Sequence, residues 1–183
     1  MNCTNCTDKV CIKHQNSCSQ ESFDPVEIIN QYREASNSKI ITAAAQLVDN
    51  HRAGKLSRID EIIEFATTMN YKKIGFAYCY GMELYAGAIQ AMFTDKGFLV
   101  SAVSCSVGGL EQSETNTASC IHKVSCNPLG QAHQLNSENV DITLIIGICM
   151  GHDILLQRNL KMDFTTFVVK DRVHHHNPLL AIK

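Results

Sequence analysis

Four short segments of the chain are apolar rather than alternating, and helical segments lie between them. The central example is ITLII at residues 142–146. Strands that are apolar on both faces are typical of a parallel sheet that is covered by helices. The pattern therefore predicts an α/β domain with a small, four-stranded, mostly parallel sheet and flanking helices.

Turn signals and helical periodicity divide the rest of the chain. Asp24-Pro25 supplies an N-cap residue followed by a proline in the first helical turn. Three helices are expected before the sheet, over about 25–36, 39–52 and 58–69, with Gly54 ending the second. The later elements are predicted as strands over 74–78, 98–104, 142–146 and 164–169 and helices over about 82–94, 128–136 and 153–160, with a polar loop over 106–127.

Residues 1–22 are polar, cysteine-rich and aperiodic. Nothing in this pattern predicts that the segment folds without a crosslink. Four thiolates can close a zinc site or hold an iron–sulfur cluster, and the spacing here does not decide between these two. We therefore predict a metal-binding module over 1–22 and an α/β domain with leading helices over 23–183. The expected ligands are Cys3, Cys6, Cys11 and Cys18, with His14 as a substitute for one thiol. The alternative is a disordered tail with reactive thiols.

Composition narrows the classes of partner and compartment. The formal net charge of −2 gives no basic surface for nucleic acid. No apolar run reaches the roughly 20 residues of a membrane-spanning helix, and the first residues lack the features of a signal peptide. We therefore expect a cytoplasmic protein. Its nine cysteines, an odd number, are then better explained as metal ligands or catalytic groups than as disulfides.

Cysteines follow three of the four predicted strands. Cys79, Cys105 and Cys149 come after the first, second and third strands, and Lys170-Asp171-Arg172 follows the fourth. The carboxyl ends of parallel strands share one edge of a sheet, where ligands bind. Cys126 lies in the long loop that crosses this edge. The sequence therefore predicts that four thiols converge there, although each cysteine alone is equally typical of a small buried hydrophobe.

The segment GICMGHD at residues 147–153 is interpreted as a turn from the third strand into a helix. Its glycines allow a tight turn and close approach to a bulky ligand. We expect Asp153 to cap the helix and Cys149 to serve as a ligand or nucleophile near its positive end. His152 and Asp153 are candidates for moving protons, and His176 is the candidate from the run His174-His175-His176. The alternatives are a plain cap and solvated surface residues.

The chain resembles an uncharacterised prokaryotic family, a domain of unknown function whose members are commonly labelled metal-binding proteins. The resemblance rests on the N-terminal cysteines and on YKKIGFAYCYG, CNPLGQAHQLN, GICMGHD and VVKDRVHHHNP. It departs from the family pattern at His174 and His175, where an apolar residue and a glycine are expected. By position, the resemblance implies functional roles for Cys79, Cys105, Cys126, Cys149, His152, Asp153, Lys170, Asp171, Arg172, His176 and Asn177.

Three functions remain open at this point. The first is a redox or sulfur-handling metalloprotein, with an iron–sulfur centre at the sheet edge and a small anionic or sulfur-containing substrate held by Lys170 and Arg172. The second is a non-enzymatic module that zinc stabilises or that senses metal. The third is a metal-free thiol enzyme with Cys149 as the nucleophile. The sequence predicts neither a reaction nor an oligomeric state.

Overall fold

The structure is a computed structural model that describes residues 2–13 and 22–182. Its contacts divide the chain into two compact units, Met1–His51 and Arg52–Lys183. The predicted division between residues 22 and 23 stays a prediction. Cys18 and His14 lie outside the described residues.

The first unit contains two helices that contact each other, α1 (Pro25–Arg33) and α2 (Ala35–Val48). The Asp24 side chain accepts a hydrogen bond from the Val26 amide at 2.8 Å, so the predicted N-cap is confirmed. The predicted bounds over 25–36 and 39–52 were wrong. Glu34 takes an extended ψ of 139° between the helices, which the apolar spacing does not reveal.

The second helix ends without the predicted glycine. It stops at Val48, Asp49 is extended, and Asn50 and His51 take positive φ values of 55° and 64°. Asn is one of the residues other than glycine that adopts this left-handed conformation with little strain. Gly54, at a φ of 77°, lies beyond the end of the helix and does not cap it.

The second unit is an α/β fold around a four-stranded parallel sheet, and the predicted fold class is confirmed to that extent. The strands β1 (Lys73–Tyr78), β2 (Leu99–Ser104), β3 (Ile142–Ile146) and β4 (Asp163–Val168) lie in the order β2-β1-β3-β4. Their helices are α3 (Arg58–Thr68), α4 (Glu83–Asp95), α5 (Gln112–Thr115), α6 (Pro128–Ser137) and α7 (His152–Asn159).

The two central strands are the apolar ones. Every residue of β3 is buried, as are the inner residues of β1, whereas β2 and β4 are edge strands with exposed positions. Helices α3, α4, α6 and α7 add side chains such as Ala66, Phe93, Leu135 and Leu156 to the same core. Phe93 packs edge-to-face on Phe76 with ring centroids 5.7 Å apart. This core fixes the positions of the strand ends.

Two local predictions in this unit were incomplete. The segment over 106–127, expected to be a loop, contains the short helix α5, which a capping box between Glu111 and Glu114 begins. Asp153 is not the N-cap of α7. Gly151 holds that position at a φ of 83°, and Asp153 lies in the first turn, where its carboxylate accepts from the Ile154 amide at 2.8 Å.

Candidate functional site: a thiol cluster at the carboxyl edge of the sheet

The strand register aligns the last residues of all four strands. Tyr78 pairs with both Ser104 and Ile146, and Ile146 pairs with Val168. The ladder continues for one residue, because the Cys79 amide donates to the Ile146 carbonyl at 3.1 Å and the Cys105 amide to the Tyr78 carbonyl at 2.8 Å. The residues that follow the strands therefore meet at one edge.

Cys105 and Cys126 form the closest thiol pair of this edge, with their sulfurs 3.5 Å apart. The long loop returns to the sheet at this point, where the Asn127 amide donates to the Cys105 carbonyl at 2.6 Å. Asn127 also caps α6 through the Gly130 amide at 2.8 Å. The start of α6 thus holds Cys126 against the end of β2.

Cys105 is the more enclosed member of this pair. Its residue is only 3% exposed, and burial, reinforced by the neighbouring Cys126 and Cys79, raises the pKa of its thiol to about 12. The Tyr80 amide donates to its sulfur at 3.3 Å, which opposes that rise. Cys126 is only partly buried. The two thiols therefore differ in access to solvent.

The other two thiols each contact a cation from the segment after β4. Lys170 Nζ lies 3.3 Å from the sulfur of buried Cys79, and Arg172 Nη2 lies 3.1 Å from the sulfur of Cys149. The contact with Cys149 raises the pKa of Arg172, and charge on Cys79 and Cys126 raises it further. We call Cys79, Cys105, Cys126, Cys149, Lys170 and Arg172 the edge cluster.

Two thiols of the edge cluster, those of Cys79 and Cys149, follow the strands between which the sheet topology reverses. The chain passes from β1 outward to β2 and then returns to β3 on the other side of β1. In open parallel sheets the connections on either side of such a point diverge and leave a crevice for ligands. Cys79 follows one of these strands and Cys149 the other, so their sulfurs flank the expected crevice.

The turn that carries Cys149 depends on Gly147. This glycine has a φ of 63°, and a Cβ at its position would lie 2.8 Å from Cγ of Met82. Its amide donates to the Val168 carbonyl at 2.8 Å, and the Cys149 carbonyl accepts from the Asp153 amide at 3.0 Å. Both ends of the turn are thus held by backbone hydrogen bonds.

The segment that carries both cations is held by Asp171 and His176. One Asp171 oxygen accepts from the amides of Val173 and His174, each at 2.9 Å. These bonds, chiefly the one from the His174 amide, lower the pKa of Asp171. The Asp171 amide donates to Nδ1 of His176 at 3.1 Å, and the Asp171 carbonyl accepts from the His176 amide at 2.8 Å. Their contacts identify both residues as supports of the turn.

The hydrogen bonds assign opposite tautomers to two neighbouring histidines. His174 Nδ1 lies 3.1 Å from the Asp171 carboxylate, which can only accept, so this nitrogen carries a proton, and in the neutral ring Nε2 keeps the lone pair. His176 Nδ1 accepts from an amide, so the neutral ring carries its proton on Nε2. An Nε2 that carries a proton is a donor and not a metal ligand.

His152, Asn177 and Cys120 have other surroundings than the residues of the edge cluster. His152 begins α7, and its buried Nδ1 has no partner among the described residues. Asn177 accepts from the Leu179 amide at 3.3 Å and caps the C-terminal 3₁₀ turn. Cys120, which the sequence left without a role, is exposed in the loop.

Sequence reasoning missed Gln131 of α6. It is fully buried, and its Nε2 donates to the Tyr78 carbonyl at 3.1 Å and to the Val103 carbonyl at 2.8 Å. It therefore ties the helix that follows Cys126 to the strands that precede Cys79 and Cys105. A glutamine in a helix is usually exposed, so only its core-facing position in α6 could have signalled this role.

The N-terminal cysteines form a separate group in the first unit. Cys3 and Cys11 are exposed and Cys6 is partly buried. The Lys9 amide lies 3.5 Å from the Cys6 sulfur, and Lys9 Nζ donates to the Cys3 carbonyl at 3.0 Å. With Cys18 outside the described residues, the predicted metal-binding module stays a prediction.

Among the described residues, neither group of thiols is arranged as a metal site. Within residues 2–13 and 22–182, no cluster of three or more His, Cys, Asp or Glu side chains has the arrangement that a metal ion needs. The thiols of the edge cluster fit a soft metal by donor type, and only Cys105 and Cys126 have sulfurs in direct contact. The same described ranges contain no helix with the length and apolarity to cross a membrane.

Comparisons with known proteins identify the family but give no reaction. The family model described as "Protein of unknown function (DUF1847)" matches residues 15–167, which include all four thiols of the edge cluster. The chain is 39% identical to "Uncharacterized protein MJ0455" of Methanocaldococcus jannaschii over 100% of its own length and 93% of that protein. No solved structure matches. The predicted resemblance to an uncharacterised family is confirmed, and the chain belongs to the DUF1847 family of proteins of unknown function.

Proposed function

We propose that the edge cluster binds a thiophilic metal centre, most readily an iron–sulfur cluster, through Cys105, Cys126 and Cys149. The observation that carries the proposal is the contact between Cys105 and Cys126 at the same edge of the sheet as the contacts of Lys170 with Cys79 and of Arg172 with Cys149. Soft thiolates select zinc, copper(I) and iron–sulfur centres over hard cations. Such a centre would supply redox or Lewis-acid chemistry, as a sulfur-handling protein needs.

The spacing of the closest pair supports the binding of both thiols to one metal atom. Two thiolates bound to one zinc at about 2.3 Å in tetrahedral geometry have sulfurs about 3.8 Å apart. The observed 3.5 Å between Cys105 and Cys126 is close to that value. Cys149 would have to leave Arg172 to join this pair, and Cys79 is an additional ligand candidate.

Lys170 and Arg172 supply the positive charge that a thiolate centre requires. Removing several thiolates from water is costly unless opposite charge is near. These cations contact Cys79 and Cys149. With the thiolates bound, the same two groups would bind a small anionic or sulfur-containing substrate, and His152 or Asp153 would move protons.

For the N-terminal cysteines we propose a second metal site, either structural zinc or an iron–sulfur cluster, held by Cys3, Cys6, Cys11 and Cys18. The Lys9 amide near the Cys6 sulfur is the kind of contact that stabilises a thiolate.

We also propose that the protein is cytoplasmic, because free thiols at every described cysteine fit a reducing compartment.

The test is elemental analysis of iron, zinc and acid-labile sulfide after anaerobic purification of the full chain. Cys126→Ala and Cys149→Ala should remove iron and sulfide from the edge, Cys6→Ala should remove the N-terminal metal, and Cys120→Ala should remove neither. Visible absorption should follow the iron.

Other outcomes would favour the other two functions. Colourless protein whose zinc is lost only in Cys6→Ala would contradict the edge centre and favour a zinc-stabilised module. Metal-free protein with rapid alkylation at Cys149 alone would favour a thiol enzyme. The Arg172 contact at 3.1 Å is the observation that makes Cys149 the candidate nucleophile in that case.

A further inference from the structure

Cys105 and Cys126 have the geometry of a dithiol that can close. Their sulfurs are 3.5 Å apart, and a disulfide bond of about 2.05 Å needs them to approach by about 1.5 Å more. Cys126 lies between the bridge residue Val124 and the start of α6, outside any strand or helix. Because the Asn127 amide already holds this segment to the Cys105 carbonyl, we expect the remaining approach to come mainly from rotation of the two side chains.

The two thiols also differ in the way that a stepwise exchange needs. Cys126 is partly exposed and can meet a reactant from solvent, whereas Cys105 is only 3% exposed. The other two thiols of the edge cluster are engaged by Lys170 and Arg172. The pair that is both close and accessible from one side is thus Cys105 with Cys126.

We infer that Cys105 and Cys126 form a redox-active pair that a low-molecular-weight disulfide converts to an intramolecular disulfide. The formation of this bond does not depend on a bound metal. Its consequence rests on the proposed function, because two sulfurs joined to each other are no longer thiolate ligands. Oxidation of this pair would then switch off metal binding at the sheet edge.

The exchange balances in two steps. Cys126 thiolate attacks one sulfur of the external disulfide, the S–S bond breaks, and one thiolate leaves. Cys105 then loses its proton to water and attacks the Cys126 sulfur of the mixed disulfide, which releases the second thiol. The protein gives up two electrons and two protons, and the external disulfide becomes two thiols.

The Tyr80 amide assists the second step. It donates to the Cys105 sulfur at 3.3 Å and so stabilises the charge that forms there before the attack. The Cys105 sulfur is also the more enclosed of the two, in a residue that is 3% exposed. We therefore expect the second step to be the slower one, and the mixed disulfide at Cys126 to be detectable before the ring closes.

The experiment treats the full chain, after removal of metal by a chelator, with oxidised glutathione and then blocks the remaining thiols with N-ethylmaleimide. Peptide mass spectrometry should find Cys105 linked to Cys126. Cys105→Ser should stop at a stable glutathione adduct on Cys126, Cys126→Ser should give no link to Cys105, and Cys120→Ser should behave as wild type. Circular dichroism checks that each variant is folded.

A parallel sample with its metal in place separates this inference from the proposed function. A Cys105–Cys126 link in protein that never holds metal at the edge would support the inference and contradict the proposed function. Metal that depends on Cys126, with no link after oxidation of the metal-free protein, would overturn the inference alone. Links from Cys105 to Cys79, or glutathione adducts without any link in folded wild type, would overturn it as well.

Discussion

The chain contains two groups of cysteines that are built in opposite ways. Cys3, Cys6 and Cys11 are neighbours in sequence, and none of them is fully buried. Cys79, Cys105, Cys126 and Cys149 are far apart in sequence, and the sheet brings them to one edge. We propose that the first group depends on a bound metal for its arrangement, whereas the folded core positions the second group.

The largest difference should appear when that core is damaged. Phe76 is fully buried, so Phe76→Ala should lower the free energy of unfolding by about 3–5 kcal/mol. Alkylation of Cys79 and Cys105 should then accelerate strongly, while alkylation of Cys3 and Cys11 should not change. Mass spectrometry after timed alkylation measures both groups in one sample.

Leu84→Ala is the control for this experiment, because Leu84 is 90% exposed. It should change neither the stability nor the alkylation of any cysteine. Equal acceleration of both groups in Phe76→Ala would contradict the distinction between them.

The next effect concerns the turn before Cys149. Gly147→Ala adds a Cβ 2.8 Å from Met82 at a positive φ, and we expect it to cost about 1–3 kcal/mol. Gly151→Ala also has a positive φ but an open surrounding, so it should cost less. Chemical denaturation gives both values. Equal losses would show that backbone conformation alone, and not the contact with Met82, decides the cost.

A smaller effect should appear in the free energy of unfolding of metal-free protein when the pH is raised. The pKa of Cys105 is raised in the folded protein to about 12, so the unfolded chain loses this proton first as pH rises. Stability from this group is therefore complete below about pH 8.5 and is lost between there and pH 12, by at most about 1.4 kcal/mol per pH unit. Denaturation of wild type and Cys105→Ala at pH 7 and pH 10 measures the difference.

Cys120→Ala is the matched control for the pH dependence, since Cys120 is an exposed thiol. Its stability should fall with pH as steeply as that of wild type. A wild-type slope that Cys105→Ala leaves unchanged would show that this thiol ionises equally easily in both states.

The smallest effect concerns a partly exposed ion contact. Arg172→Gln removes the hydrogen bond to Cys149, and an exposed charge contact is worth at most about 1 kcal/mol. We expect alkylation of Cys149 at neutral pH by the anionic reagent iodoacetate to slow by roughly two- to fivefold, because the positive charge beside the sulfur that attracts the reagent is lost. Arg158→Gln, on the exposed face of α7, should leave the rate unchanged. Faster alkylation in Arg172→Gln would mean that the arginine mainly shields the thiol.

The convergence of thiols could be predicted from sequence because it follows from topology. Parallel strands end at one edge, and cysteines that follow such strands must meet there. The partners of each thiol could not be predicted, since the contacts of Lys170 with Cys79 and of Arg172 with Cys149 depend on side-chain reach across the sheet.

Other features were hidden because their sequence signals are ambiguous. The sequence predicts functional roles for Asp171 and His176, yet their contacts hold a turn. A polar residue in a loop is typical of either role. The break at Glu34 interrupts an apolar spacing that continues on both sides of it. In each case, long-range contacts or one backbone angle decide what local sequence leaves open.

Gln131 has a consequence for how such a protein could be altered. Its amide joins the ends of β1 and β2, the strands that precede Cys79 and Cys105. The spacing of these two strand ends is therefore supported by a side chain that is fully buried. We expect that a shorter or longer side chain at position 131 would change the spacing of the two strand ends while every cysteine stays in place.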